Sequence, residues 1–215
     1  MMISPESYYE FEVKGKSAAE IEKEIRSLKR TIAKLKDEIE NPVSEPDTIR
    51  PSKDTVIYWS REYLAMAKKA LAEAGDEYKE TREEERAGAF LERLPSLHRL
   101  ELEIGGFFSG WKKYVIEVDG DELKRDTVMV VGDLDEPEVE TREELMRYLS
   151  DMHLEEWQKD YSPERYGMAI LDGTQWNLKL EYQDGNTVEY AGSNVYPWNF
   201  EELCRLFGFE WNRYH

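Results

Sequence analysis

The chain contains one cysteine, Cys204, three histidines, and no apolar run approaching the roughly 20 residues a helix needs to cross a bilayer. Each scarcity excludes something. A lone cysteine cannot close an internal disulfide or supply a cysteine-rich metal site, so a reducing compartment is expected. The missing apolar run excludes an integral membrane protein with spanning helices. No basic segment followed by an apolar stretch marks a secretory signal, and the expected location is cytoplasmic. The sequence also lacks the GxGxxG and GxxxxGK[ST] spacings, a Ser-His-Asp arrangement and a paired-carboxylate motif. No enzyme class is indicated, the reading leans away from catalysis, and no cofactor is called for.

Positive charge is short as well. There are 29 Lys and Arg against 47 Asp and Glu, a formal charge of -18 over 215 residues. The deficit is uneven: residues 1–94 carry 17 basic and 21 acidic side chains, residues 95–215 carry 12 and 26. Phosphate contacts need clustered Lys and Arg, so direct nucleic-acid binding is disfavoured, above all for the acidic half.

What is present is strong local patterning. Ser17 and Glu20 have the spacing of a capping box, and Ile21, Ile25, Leu28, Ile32, Leu35 and Ile39 then recur at intervals of 4, 3, 4, 3 and 4. That is a helix with a heptad seam, ended by Asn41-Pro42. A second helix, from Ser52 or Asp54 to Gly75, repeats the spacing at Val56, Trp59, Tyr63, Met66 and Ala70, and Ile57, Leu64 and Leu71 form a second apolar line. An antiparallel hairpin is expected, and pairing of two copies through it is open. Thr81 with Glu84 opens a third helix, closed by Pro95.

Beyond Pro95 the period changes to 2. Leu100, Leu102 and Ile104 alternate with charged residues, as do Tyr114, Ile116 and Val118; Thr127 to Val131 forms a third strand after the Asp119-Gly120 turn. Thr141 and Glu144 cap a helix carrying Leu145, Leu149 and Met152. Met168 to Leu171 is a short strand candidate. Trp176, Leu178, Leu180 and Tyr182 then lead into a two-residue Asp184-Gly185 turn, a return strand and a terminal helix capped by Asn199. The fold class is therefore α+β: a helical hairpin and short helix over residues 1–94, then over residues 95–215 an antiparallel sheet of five or six strands packed by two helices.

The segments SPESYYE, KGKSAAEIEKEIRSLKR, GGFFSGW, LDGTQWNLKLEYQDG and GSNVYPWNF resemble a family of uncharacterised proteins from anaerobic Gram-positive (Firmicutes) gut bacteria. The resemblance implies a bacterial origin and carries no activity, cofactor or site residue.

Few residues suggest chemistry. His153 and Glu156 would share one face of a helix and could offer two metal ligands. Zinc needs three or four, so an ordinary surface pair is expected and no metal is assigned. Cys204 reads as a small buried hydrophobe, and Asp133, Asp135, Glu136, Glu138 and Glu140 as a solvated loop without EF-hand spacing. The stretch Gly192 to Trp198 is more elaborate than a strand-to-helix connection requires. With the glycine-rich Gly105 to Gly110 segment it offers two readings for Phe107, Trp111, Trp176, Asn194, Tyr196 and Trp198: core packing, the commoner fate of such aromatics, or the lining of a ligand groove. The leading functional expectation is a non-enzymatic protein-interaction module with a protein partner. The alternatives are an acidic nucleic-acid-mimicking inhibitor of a defence or mobile-element enzyme, and a small-molecule protein or enzyme using Tyr114, Asp172, Asn194 and Tyr196.

Overall fold

The computed structural model describes residues 3–41, 50–106, 110–130, 134–136, 138–168 and 173–211, and divides the chain into two compact units, Met1–Thr81 and Arg82–His215. The first unit opens on a segment with no periodic signal. Pro5–Tyr8 form a helical turn, α1, which runs on as a π-helical turn, Tyr9–Val13. Ser4 caps α1 by accepting the Ser7 N–H, and Pro5 fills a first-turn position where no donor is needed. Ser17 begins α2, Ala18–Glu40, by donating its backbone N–H to the Glu20 carboxylate at 2.9 Å. Ile21, Ile25, Leu28 and Ile32 of the seam are buried.

α3 spans Lys53–Glu73. Lys53 at its start pairs with Glu38 near the end of α2 at 3.2 Å, and Lys29 within α2 donates to Tyr78 beyond the end of α3 at 3.1 Å. The two helices therefore run antiparallel. Their contact is displaced toward the second apolar line. The buried positions on α3 are Ile57, Ser60, Ala67, Ala70 and Leu71, so the buried face follows Ile57, Leu64 and Leu71 with Ser60 and Ala67 between them, and Ala70 of the aromatic stripe at its edge. Ala67, Ala70 and Leu71 share a cluster with Ile21, Ile25 and Leu28 of α2, and Tyr63 and Met66 pack against it. Part of the aromatic stripe is used by the N-terminal segment: Tyr63 stacks on Tyr8 with centroids 4.2 Å apart, and its hydroxyl donates to the Ile3 carbonyl at 2.7 Å.

In the second unit α4, Arg82–Arg93, precedes the sheet. The change of period at Pro95 thus falls inside this unit. Phe90 packs on its core, and the Arg93 guanidinium lies 4.3 Å over the Tyr182 ring while donating to Asp184. The strands are β1 Leu97–Gly106, β2 Gly110–Asp119, β3 Glu122–Val128, β4 Asp160–Tyr161, β5 Gln175–Tyr182 and β6 Thr187–Ser193, in the order β3-β2-β1-β5-β6-β4. All pairs are antiparallel except the two-residue β4 on β6. The third strand starts and ends earlier than the Thr127–Val131 expectation, because the two-residue turn at Gly120-Asp121 pairs Asp119 with Glu122 at once. The Met168 to Leu171 strand candidate falls mostly outside the described residues.

The Asp184-Gly185 turn is longer than expected. The Tyr182 N–H donates to the Asn186 carbonyl, leaving a three-residue loop with Gly185 left-handed at φ 81°. This is the type I turn plus left-handed glycine that closes three-residue hairpins.

Period-2 alternation gives the sheet two chemically different faces. Leu100, Leu102, Ile104, Tyr114, Ile116, Trp176, Leu178, Leu180, Tyr182 and Tyr190 form one, buried under α5, Arg142–Asp151, and α6, Phe200–Leu206. Arg125 enters this side from β3 and donates to the carbonyls of Leu206 and Val139, both at 2.8 Å. The opposite face is a charge lattice: Arg99 binds Glu101 and Glu117, Lys113 binds Glu101 and Glu103, and Lys179 binds Glu181. Burial raises the Glu101 carboxyl, but the hydrogen bonds from Lys113 and Arg99 outweigh it and hold the group below its ordinary range.

Candidate functional site

The Gly192 to Trp198 corner is built by close backbone approach. A side chain at Gly192 would run into the Trp176 indole and come within 2.7 Å of the Val195 carbonyl oxygen. That empty position lets the Trp176 N–H donate to the same carbonyl at 2.9 Å, with the ring only 2% exposed. Asn194 follows in the left-handed region at φ 57°. Its Oδ1 accepts the Thr174 N–H at 2.9 Å while its own N–H donates to the Thr174 carbonyl at 2.9 Å, which closes the corner onto the start of β5. Asparagine tolerates this backbone because its short amide can bond locally.

The residues expected to line a groove are therefore placed differently from one another. Trp176 and Tyr196 are core residues; Tyr196 packs between Phe200 and Trp211, centroids 4.9 Å from each. Asn194 is a turn residue. Trp198 is half-buried beside Asn199, while Trp111 is 49% exposed on the charged face of β2, opposite Gly105. Phe107 lies outside the described residues, as does Asp172 of the enzyme reading. Tyr114 of that reading is a buried core residue of β2, stacked on Phe209 at 4.4 Å.

Below the corner lies a polar knot that the sequence did not announce. Asn199 occupies the N-cap position just before α6, yet its side chain does not cap the helix. Its Oδ1 accepts the Trp157 indole N–H at 2.9 Å and its Nδ2 donates to the Met152 carbonyl at 2.7 Å. The Tyr190 hydroxyl donates to the Leu154 carbonyl at 2.9 Å. Burial, the largest influence, pushes the Tyr190 hydroxyl far above the ordinary tyrosine range and keeps it a donor. Three buried bonds thus fix the segment Met152–Trp157 against β6 and α6.

That segment carries His153, Glu155 and Glu156, the only group of three His, Cys, Asp or Glu side chains with metal-ligand spacing found among the described residues. α5 ends at Asp151, so His153 and Glu156 do not share a helix as their i,i+3 spacing suggested. His153 turns left-handed at φ 53° and starts the 3₁₀ turn Leu154–Glu156. The turn brings in Glu155: His153 Nδ1 lies 3.0 Å from Glu155 Oε1, and one ligand atom from each of the three residues lies within 4.8 Å of the others.

The remaining candidates separate. Cys204 is fully buried, and burial raises its thiol well above the ordinary range, which makes it a packing residue. Of the acidic loop, Asp133 lies outside the described residues, while the Asp135 N–H bonds the Gly208 carbonyl and the Glu140 N–H the Glu144 carboxylate. His98 lies beside the β-bulge at the start of β1, where the pairing slips between Leu97 and Arg99. No protein-family model, curated protein or solved structure matches the chain. No described helix is long and apolar enough to cross a membrane.

Proposed function

We propose that the chain is a cytoplasmic protein-interaction module and that its contact surface is the open end of β2 and β3. The observation that carries this reading is the exposure of three apolar residues there: Trp111 at 49%, Val128 at 49% and Met129 at 77%. The register pairs Lys113 with Val128, so Trp111, two residues before Lys113, shares its face and is a diagonal neighbour of Val128. Met129 leaves the strand in a left-handed conformation at φ 61°, unusual for a side chain without a local hydrogen-bonding group. Single exposed apolar residues need no explanation, but a tryptophan grouped with two others is the composition of an interface centre. Phe11 and Tyr58 of the first unit are exposed too, on separate elements, so the β2–β3 end is favoured.

The acidic-decoy alternative gains less. It needs a stripe of one sign, whereas Arg99, Lys113 and Lys179 interrupt the acids on the charged face of the sheet.

A photo-crosslinking residue at position 111, compared with one at Glu189 on β6, tests the proposal in cells of the source organism. The expected result is one recurrent protein adduct at 111, absent at 189 and abolished by Val128→Ser with Met129→Ser. Equal, non-recurring adducts at both positions would overturn it.

A further inference from the structure

We propose that His153, Glu155 and Glu156 form a binding site for a borderline divalent transition metal, zinc foremost. The geometry comes first. Two ligands on one tetrahedral ion at about 2.0–2.1 Å stand about 3.3 Å apart. His153 Nδ1 and Glu155 Oε1 are already at 3.0 Å, and a Glu156 carboxylate oxygen lies within 4.8 Å of a ligand atom of each.

A second observation is independent of the spacing. The Glu155 side chain is only 4% exposed, and its Oε2 is buried without a hydrogen-bond partner. An unsatisfied buried polar oxygen is costly, the more so on a charged group. Proteins retain such groups where a ligand completes them. A cation seated between Nδ1 and Oε1 takes the place of their hydrogen bond at the first oxygen, and bidentate coordination by the Glu155 carboxylate takes up the second.

The local backbone is arranged to hold this set. The left-handed His153 and the 3₁₀ turn put three near-consecutive side chains on one side, which neither a helix nor a strand does. The turn is anchored before and after its ligands. Asn199 holds the Met152 carbonyl and the Trp157 indole, Tyr190 holds the Leu154 carbonyl, and Leu154 is fully buried. Ligands on a turn fixed this way need little reordering on binding.

The donor set selects the ion. One imidazole and two carboxylates neutralise a dication, and the nitrogen favours zinc and its neighbours over magnesium or calcium, which take oxygen shells. Three protein ligands leave a fourth position, and it opens to solvent, because Glu156 is exposed and the His153 side chain is 32% exposed.

The test uses the full chain stripped with a chelator and titrated calorimetrically with Zn²⁺ near neutral pH, then loaded with Co²⁺ for its visible spectrum. One equivalent is expected, with a cobalt spectrum of four-coordinate type. His153→Asn keeps a residue that accepts the left-handed backbone, and Glu155→Gln keeps the shape; each is expected to weaken binding at least about tenfold, the loss that even outer partners of metal ligands cause. Should either variant fail to fold, Glu156→Gln alters only an exposed side chain and is expected to weaken zinc similarly. Zinc binding that is unchanged in His153→Asn and Glu156→Gln, or no saturable binding to the wild-type chain, overturns the site.

Discussion

Asn199 holds Trp157 by a buried 2.9 Å bond across 42 residues of sequence, from a position where its expected partner was the first turn of its own helix. The same amide binds the Met152 carbonyl, so one side chain joins the end of α5, the His153 turn and the start of α6. A helix cap is worth about 1 kcal/mol and is satisfied locally. Here the amide does tertiary work instead.

Asn199→Ala should therefore cost more than a cap. It leaves the Trp157 N–H and the Met152 carbonyl buried and unpaired, at about 1–3 kcal/mol each, so a loss of about 2–6 kcal/mol is expected. Urea unfolding followed by tryptophan fluorescence measures it, since the described tryptophans other than Trp59 all lie in the second unit. A loss near 0.5 kcal/mol would mean that the network contributes little.

The displaced seam of the helical hairpin makes an opposite pair of expectations. Ala67 is fully buried against α2, so Ala67→Leu should destabilise the first unit by about 1–3 kcal/mol through overpacking. Met66→Leu, one position away and only half-buried, should be within about 1 kcal/mol of wild type. Thermal melts of the helical circular-dichroism signal compare the two. Equal costs at both positions would return the seam to the aromatic stripe.

The hairpin loop adds a pH dependence. The Asp184 carboxyl sits at about 2 instead of the ordinary 3.8, held down by the Asn186 side chain and N–H and then by Arg93. A carboxyl that ionises more readily in the folded chain contributes stability that is fully present above its ordinary value and is lost as the pH falls toward about 2. Asp184→Asn should thus flatten part of the acid limb between pH 3.8 and about 2 and leave the melting temperature near pH 7 lower than wild type. The difference between the two melting curves is the readout, because other carboxylates titrate in the same range. A difference that does not change with pH would refute the linkage. Asp184 is at the surface, so no energy is assigned to the effect.

How much of this was legible follows from the range of each interaction. The capping boxes at Ser17 and Thr141 and the alternation of β1, β2 and β5 were readable, because a cap or a pleat is decided within a few residues. The buried face of α3 was readable only in part: Ile57, Leu64 and Leu71 stood out as an apolar line, but Ser60 and Ala67 are buried as small side chains, which hydrophobicity does not report. The α1 segment lacked periodicity and is ordered by Tyr8 meeting Tyr63, a contact 55 residues apart in sequence. The three-residue loop at Asp184 shows the same Asp-Gly pair as a two-residue turn.

The His153 turn was hidden for a different reason. Histidine carries no punctuation that would end a helix, so the stripe of Leu145, Leu149 and Met152 invited extension through Glu156, and Glu155 was left on the wrong side. Histidine enters the left-handed region more often than most side chains do, but too seldom for the residue type alone to mark the end of a helix. What holds it in place is Leu154, Tyr190 and Asn199, and none of them is next to it except Leu154.

The lattice of alternating charge on the open side of the sheet also decides what a molecule at a distance would sense. Each basic group there has its counter-charge within one strand spacing, shorter than the Debye length of about 8 Å at physiological salt. The bases there are fewer than the acids, however: Arg99, Lys113 and Lys179 share Glu101, Glu103, Glu117 and Glu181, and the register adds Asp126 and Glu189 to the same face. From farther away the paired charges cancel and the surplus acid remains, so that surface presents a weak negative field to an approaching cationic molecule.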